Sequence, residues 1–201
     1  MLSLLNDFET MEIFRNAKTE YIQNFKESKT QNLLIELKPN SIKDLCNIYS
    51  INRENVETNL SEYLTNNKNE SGIKYIHPIL KKYLEDTFGV ILYNEQITNI
   101  LQDISGFSNL ESDLVRKTLG RRSVNDLQIY FKKFYDGAFL NKKFLSDCET
   151  IKKEPENCIE EIWDLLNEKI VLTISFSFVL KEVSKSYIEA LEFSRNKKTI
   201  S

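Results

Sequence analysis

Glycine and proline are scarce, five and three among 201 residues, where average usage gives roughly fourteen and ten. A many-stranded sandwich or barrel needs a chain reversal every few residues, so the shortage argues against one. It also excludes collagen-like and Gly/Ser-linker chains. Histidine is nearly missing, His77 standing alone, and the cysteines Cys46, Cys148 and Cys158 contain no C-x-x-C pair. A zinc site needs four ligands at closer spacing. No metal is therefore expected, and the cysteines read as free thiols in a reducing cytoplasm.

Long apolar runs are missing too. The longest, from Ile170 to Leu180, is bracketed by Lys169 and Lys181 and interrupted by Thr173, Ser175 and Ser177. That is about half of the ~20 residues that span a bilayer, so it reads as a buried segment. The first residues lack the basic region and apolar core of a signal peptide. No membrane contact is expected.

What is present is 41% apolar and 28% charged residues with a net charge of −3, an ordinary globular mixture. Helical periodicity recurs nearly everywhere. Asn6/Asp7 precede Met11, Ile13 and Phe14. Leu33, Leu34 and Leu37 stop at Lys38-Pro39, and Asn40/Ser41 open a helix through Ile42, Leu45 and Ile48. Val56, Leu60, Tyr63 and Leu64 lead into the polar stretch from Thr65 to Ser71, the best loop candidate. Pro78 opens a helix through Leu84 that Gly89 closes. Ile97, Ile100, Leu101 and Ile104 stop at Gly106, and Leu110, Leu114 and Val115 run to Gly120, glycines suited to left-handed caps. Ser123 caps a helix through Leu127, Tyr130, Phe131 and Phe134; Pro155 opens one through Ile159, Ile162, Trp163 and Leu166; a last one runs from Val179 to Phe193. The expected fold is mainly α, a compact multi-helix domain over residues 1–195 with at most one or two short strands, at 21–25 and 90–92. The 65–72 loop is a candidate sub-boundary, and residues 196–201 a frayed tail.

The chain offers little for catalysis. It contains no G-x-x-x-x-G-K-[ST], G-x-G-x-x-G or H-E-x-x-H. His77, followed by Pro78, belongs to no triad and reads as structural. The acids Asp103, Glu111 with Asp113, and Glu160 with Glu161 read as solvated helix faces rather than a metal pair. No catalytic residue and no cofactor are assigned.

One stretch is unbalanced. Between residues 116 and 143 the cations Arg116, Lys117, Arg121, Arg122, Lys132, Lys133, Lys142 and Lys143 face only Asp126 and Asp136 as acids. Tyr130, Phe131, Phe134 and Tyr135 are interleaved and read as core. Lys132 and Lys133 fit a solvated face. Arg116, Lys117, Arg121 and Arg122 fit either a solvated face or a phosphate-binding group.

At these residues the chain resembles a known family. His77-Pro-Ile-Leu, Phe88-Gly-Val-Ile-Leu-Tyr-Asn-Glu-Gln-Ile, Gln102-Asp-Ile-Ser-Gly-Phe and Ser112-Asp-Leu-Val-Arg-Lys-Thr-Leu-Gly-Arg-Arg follow in order. They are similar to H-P-I-L, Y-G-V-I-V-Y-Q-E-Q-V, Q-D-L-A-G-Y and A-D-L-L-R-R-A-M-G-K-K of the bacterial replicative DNA polymerase III alpha subunit, of the C family. Leu33-Leu-Ile-Glu-Leu-Lys-Pro-Asn-Ser-Ile-Lys-Asp-Leu and Leu5-Asn-Asp-Phe-Glu-Thr extend the likeness backwards. The resemblance covers most of residues 1–145 and implies a helical fingers domain. It places Arg116, Lys117, Arg121 and Arg122 by triphosphate or template strand, and gives Glu95 and Gln96 a role in organising the fold.

Departures accompany it. The family's catalytic aspartates lie in a palm expected to precede residue 1, and no P-D-x-D-x-D-F occurs here. Asn52-Arg-Glu-Asn-Val-Glu-Thr-Asn replaces R-P-G-P-x-G-S-G. The segment from Thr173 to Val183 replaces G-Y-G-F-N-K-S-H-A, with its nucleotide-contacting histidine and lysine. Polymerisation by this chain alone is not expected. Two functions stay open. One is a catalytically silent module in the cytoplasm that binds primer–template DNA or nucleotide phosphates, or complements a polymerase palm. The other is a decoy or assembly factor that contacts a replisome protein and no nucleic acid.

Overall fold

The computed structural model describes residues 7–54, 56–121 and 124–200. Among them are eleven α-helices and no strand. Both segments expected as strands spend their backbone donors locally. In 21–25, the Ile22 N–H donates to Thr19 O and the Phe25 N–H to Ile22 O. In 90–92, the Val90 N–H donates to Thr87 O and the Leu92 N–H to a glutamine side chain.

The chain forms two compact units, Met1–Leu60 with Ile174–Ser201, and Ser61–Thr173. The first contains α1 (Phe8–Arg15), α2 (Ser28–Leu37), α3 (Ile42–Ile51) and α11 (Phe176–Ile200). Asp7 caps α1 by accepting from the Thr10 N–H at 2.9 Å. Ser41 and Asp44 cap α3 reciprocally, each side chain accepting from the other residue's backbone. The sequence ends of the unit meet through aromatic rings. Phe14 lies edge-on to Phe25 at 5.2 Å and stacks with Tyr187 of α11 at 6.1 Å. The Asp7 N–H donates to the Tyr187 hydroxyl at 2.7 Å. No glycine or proline follows Phe193, and α11 accordingly runs on past the expected end.

The second unit is built from the later part of α4 (Glu57–Lys68), α5 (Lys81–Leu84), α6 (Asn94–Ser105), α7 (Asn109–Arg121), α8 (Val124–Leu140), α9 (Lys142–Ile151) and α10 (Pro155–Lys169). Helix α4 continues four residues into the expected loop, which shrinks to a 3-10 turn at Glu70–Gly72. Asn, Lys and Thr in that stretch are only mildly unfavourable to helix. Helix α9 was not evident from the periodicity. One core holds the unit, with Leu80, Ile97, Ile100, Leu101, Val115, Phe134, Phe144, Ile159, Ile162 and Leu166 almost or fully buried.

Its tightest seam joins α6 and α8. A Cβ at Gly137 would sit 2.3 Å from the Ser105 carbonyl oxygen, so only glycine permits this approach. The Ser105 hydroxyl donates to Phe134 O at 2.7 Å. One turn on, the Asn141 side-chain amide donates to Asp103 O and Ile104 O at 2.8 and 3.0 Å, and its oxygen accepts from the Phe144 N–H at 3.1 Å. Asn141 therefore closes α6 and opens α9 together.

Glycine ends fewer helices than expected. Gly106 is a left-handed cap with φ 68°, but Gly120 lies within α7 without positive φ. Gly89 also takes a positive φ, 82°, and its N–H donates to Leu84 O, while non-glycine residues take the remaining left-handed positions: Ala17, Lys38, Phe88 and Lys152, at φ 46–56°. Such a conformation costs an L-residue about 1–2 kcal/mol. Gly137→Ala is expected to lower stability by about 2–3 kcal/mol through overpacking. Lys152→Gly, at the end of α9, is expected to raise it by about 1 kcal/mol. Urea unfolding midpoints of the two variants check both signs.

Candidate nucleic-acid interface

Helix α7 carries most of the expected site. It begins with a capping box: the Glu111 carboxylate accepts from the Ser108 N–H at 3.0 Å, and the Ser108 oxygen accepts from the Glu111 N–H at 3.3 Å. Its inner face buries Ser112, Val115 and Leu119, and Gln102 of α6 donates to Ser112 Oγ at 2.9 Å. Arg116, Lys117 and Arg121 are thereby held on one rigid element. Arg122 lies outside the described residues, as does the expected cap Ser123.

Arg116 and Lys117 come together on one carboxylate. Arg116 Nη2 and Nε donate to Asp113 Oδ1 at 2.8 and 3.1 Å, and Lys117 Nζ stands 2.6 Å from Asp113 Oδ2. The two cations, Lys117 first, hold the Asp113 carboxyl below its usual range. The pattern repeats along the basic stretch. Lys132 pairs with Asp136 at 3.0 Å, Lys143 with Asp147 at 3.2 Å, and Lys133 with Glu111. Hydrogen bonds from Lys133 and Ser108 push the Glu111 carboxyl down to about 2.

The imbalance between residues 116 and 143 is thus largely cancelled by Glu111, Asp113 and Asp147, which lie outside that interval but are neighbours in space. Of the eight cations, only Arg121 and Lys142 are described without an acidic partner among the described residues. Arg121 is exposed in the last turn of α7, where a cation also complements the helix dipole. The pairs are cheap to open: half-exposed i,i+3 and i,i+4 pairs contribute a few tenths of a kcal/mol.

The aromatics take the core reading. Phe134 is fully buried, and Tyr130, Phe131 and Tyr135 pack against the core. The rings of Phe131 and Phe134 lie 5.5 and 5.3 Å from Trp163.

Gln96 was expected to organise the fold, and it spends every polar atom doing so. Its Oε1 accepts from the Leu92 and Tyr93 N–H groups, both at 2.8 Å. Its Nε2 donates to Tyr83 O at 3.0 Å and Thr87 Oγ1 at 2.8 Å. Two of the loops that depart from the family pattern have become helix ends. Asn52 is the C-cap of α3 and donates to Thr30 Oγ1 at 2.7 Å, and α4 begins at Glu57. Thr173 donates towards Asn94 Oδ1 at 2.6 Å, and α11 begins at Phe176.

Groups that carry acid–base or thiol chemistry elsewhere are packed away. The three cysteines are free and buried, and burial pushes the Cys46 and Cys148 thiols up to about 12. Among the described residues, no group of three or more His, Cys, Asp or Glu converges, and no helix is long and apolar enough to cross a membrane. His77 is fully buried and stacked 4.2 Å from Phe144. Its Nδ1 accepts from the Ile79 N–H at 3.2 Å, so the proton sits on Nε2, which donates to Phe144 O at 3.1 Å.

The helices bearing these residues, from α1 to the end of α8, coincide with a recognised sequence family. The bacterial DNA polymerase III alpha subunit finger domain matches residues 3–142. The chain belongs to this family. Among curated relatives, the DNA polymerase III subunit alpha of Halalkalibacterium halodurans is 30% identical over 134 residues, 67% of this chain and 12% of the relative. Those of Staphylococcus epidermidis RP62A and Borreliella burgdorferi B31 are each 29% identical over 133 residues, 66% of this chain and again 12% of the relative. The chain thus spans about an eighth of the length of these relatives. Helix α7, with Arg116, Lys117 and Arg121, falls within the matched residues.

Burial lowers the His77 pKa, an effect partly offset by the hydrogen bond to Phe144. The unfolded chain then binds the proton more tightly, so stability is full above the ordinary imidazole value of about 6.5 and falls as pH drops below it. Urea midpoints at pH 7.5, 6.5 and 5.5 should fall across that series. His77→Asn, which keeps a capping oxygen but does not titrate there, should show a flatter profile at lower overall stability.

Proposed function

We propose that the chain acts as a fingers module in DNA replication, holding nucleic-acid or nucleotide phosphates at the end of α7 and complementing a polymerase without polymerising by itself. The observation that carries this reading is Arg121. It is an exposed cation with no acid among the described residues, on a helix inside the matched family region. Arg122 follows it in sequence. Arg116 and Lys117 are a reserve, because a phosphate that displaces Asp113 forfeits only a few tenths of a kcal/mol per pair. Catalytic silence is supported by the sequence, which contains no P-D-x-D-x-D-F. The helix ends at Asn52 and Thr173 point the same way, standing where the family has glycine-bearing loops. In this reading the module works in the cytoplasm with a polymerase palm or another replisome protein.

A second reading, an interaction module with no nucleic-acid contact, is favoured by the acids that neutralise the other cations. Titration of primer–template DNA at two salt concentrations separates the two. Affinity should fall steeply with salt, since each phosphate contact contributes a slope of about −0.9 in log K against log salt. Arg121→Glu with Arg122→Glu should weaken binding about tenfold or more, and Asp113→Asn should strengthen it several-fold by releasing Arg116 and Lys117. Unchanged affinity in the double variant removes the assigned site. Absence of binding at low salt, with a polymerase subunit retained in a pull-down, establishes the second reading.

A further inference from the structure

Helices α8 and α10 leave a groove on the second unit, with a volume of about 410 Å³, within the usual size of ligand sites. Its walls are Leu127 and Phe131 from α8 and Trp163 from α10; its rim is Gln128, Glu160 and Asp164. Trp163 is 8% exposed, backed by the Phe134 ring, and its indole N–H meets no acceptor among the described residues. The residues recur at i, i+1, i+4 on one side and i, i+3, i+4 on the other, so the groove runs along helical ridges. A helix laid into it would present anchors at matching intervals.

The charge around the groove is one-sided. Glu156, Glu160, Asp164 and Glu168 stand at four-residue intervals on the exposed face of α10. Like charges at this spacing repel one another by a few tenths of a kcal/mol per pair. Elsewhere in the unit Glu111, Asp113, Asp136 and Asp147 each hold a lysine or arginine. Among the described residues Glu156, Glu160 and Asp164 hold none, and no cation lines the groove.

We infer that this groove is a docking site for an amphipathic helix of a partner polypeptide that carries lysine or arginine beside its apolar anchors. The apolar side chains occupy the space against Leu127, Phe131 and Trp163. The cations meet Glu160 and Asp164 and lie within reach of the Trp163 face, an attractive arrangement for a positive charge. None of the described lining residues belongs to α7, and the inference does not depend on phosphate binding there.

Trp163 is the chain's single tryptophan, so its fluorescence reports occupancy directly. The probes are a synthetic leucine–lysine amphipathic peptide and a leucine–glutamate peptide of the same leucine pattern. The lysine peptide is expected to shift the emission saturably, and the glutamate peptide to leave it unchanged. Glu160→Lys with Asp164→Lys should weaken the lysine peptide about tenfold or more. Glu20→Lys with Glu192→Lys, an equal charge change on the first unit, should not weaken it. If the first pair loses its helical circular dichroism, Glu160→Gln with Asp164→Asn replaces it with the same expected direction. The inference is overturned by no saturable shift, by equal binding of the glutamate peptide, or by equal losses in both charge-reversed pairs. An emission shift on raising protein concentration alone, with a dimer mass in sedimentation, also overturns it by making a second copy the occupant.

Discussion

The second unit depends on one close approach made possible by a residue with no side chain. At Gly137 the backbone of α8 comes within van der Waals range of the last carbonyl of α6. Everything nearby is spaced by that approach. Ser105 crosses it with a hydrogen bond to Phe134 O, and Asn141 closes α6 while opening α9. Phe144, placed by that cap, supplies the ring and the carbonyl that hold His77. A methyl group at one position would therefore disturb a helix seam, two helix ends and the only histidine.

The same seam sets the chemistry of the surface. Because α6 and α8 are tightly joined, α7 and α8 bring Lys133 to Glu111, and α7 keeps Arg116 and Lys117 on Asp113. The basic stretch is a set of local pairs, each weak enough for a polyanion to reopen. Within it only Arg121 and Lys142 stand without an acid among the described residues. Helix α10 has the opposite character, with Glu156, Glu160 and Asp164 holding no cation among the described residues beside an aromatic groove. The unit thus presents one surface of mostly neutralised pairs and one of unpaired acids.

Much of the fold was legible because helical periodicity and capping residues are local signals. Asp7, Ser41, Pro78 and Pro155 start elements where their chemistry predicts, and Gly106 ends one. Gly120 misled because glycine only permits a left-handed cap and does not impose one. Lys38 and Lys152 take such caps at a cost that the surrounding structure meets. Helix α9 was missed because only Phe144 and Cys148 of its ten residues are buried, too thin a stripe to register. Gln96 carried a signal in its family motif, whereas Gly137 carried none, since its meaning lies in a carbonyl 32 residues earlier in the chain.

The sequence by itself determined the helical class, the capping chemistry and the family, all of which rest on residues within a few positions of one another or on motifs in order. It also placed the cations. Tertiary structure decided their electrical state, because Glu111 reaches Lys133 across two helices and a charge count along the chain cannot register that distance. It likewise decided that Trp163 would face a groove with acids on its rim. A helix stripe shows which face is apolar, and only the packing of its neighbours shows how much of that face remains uncovered.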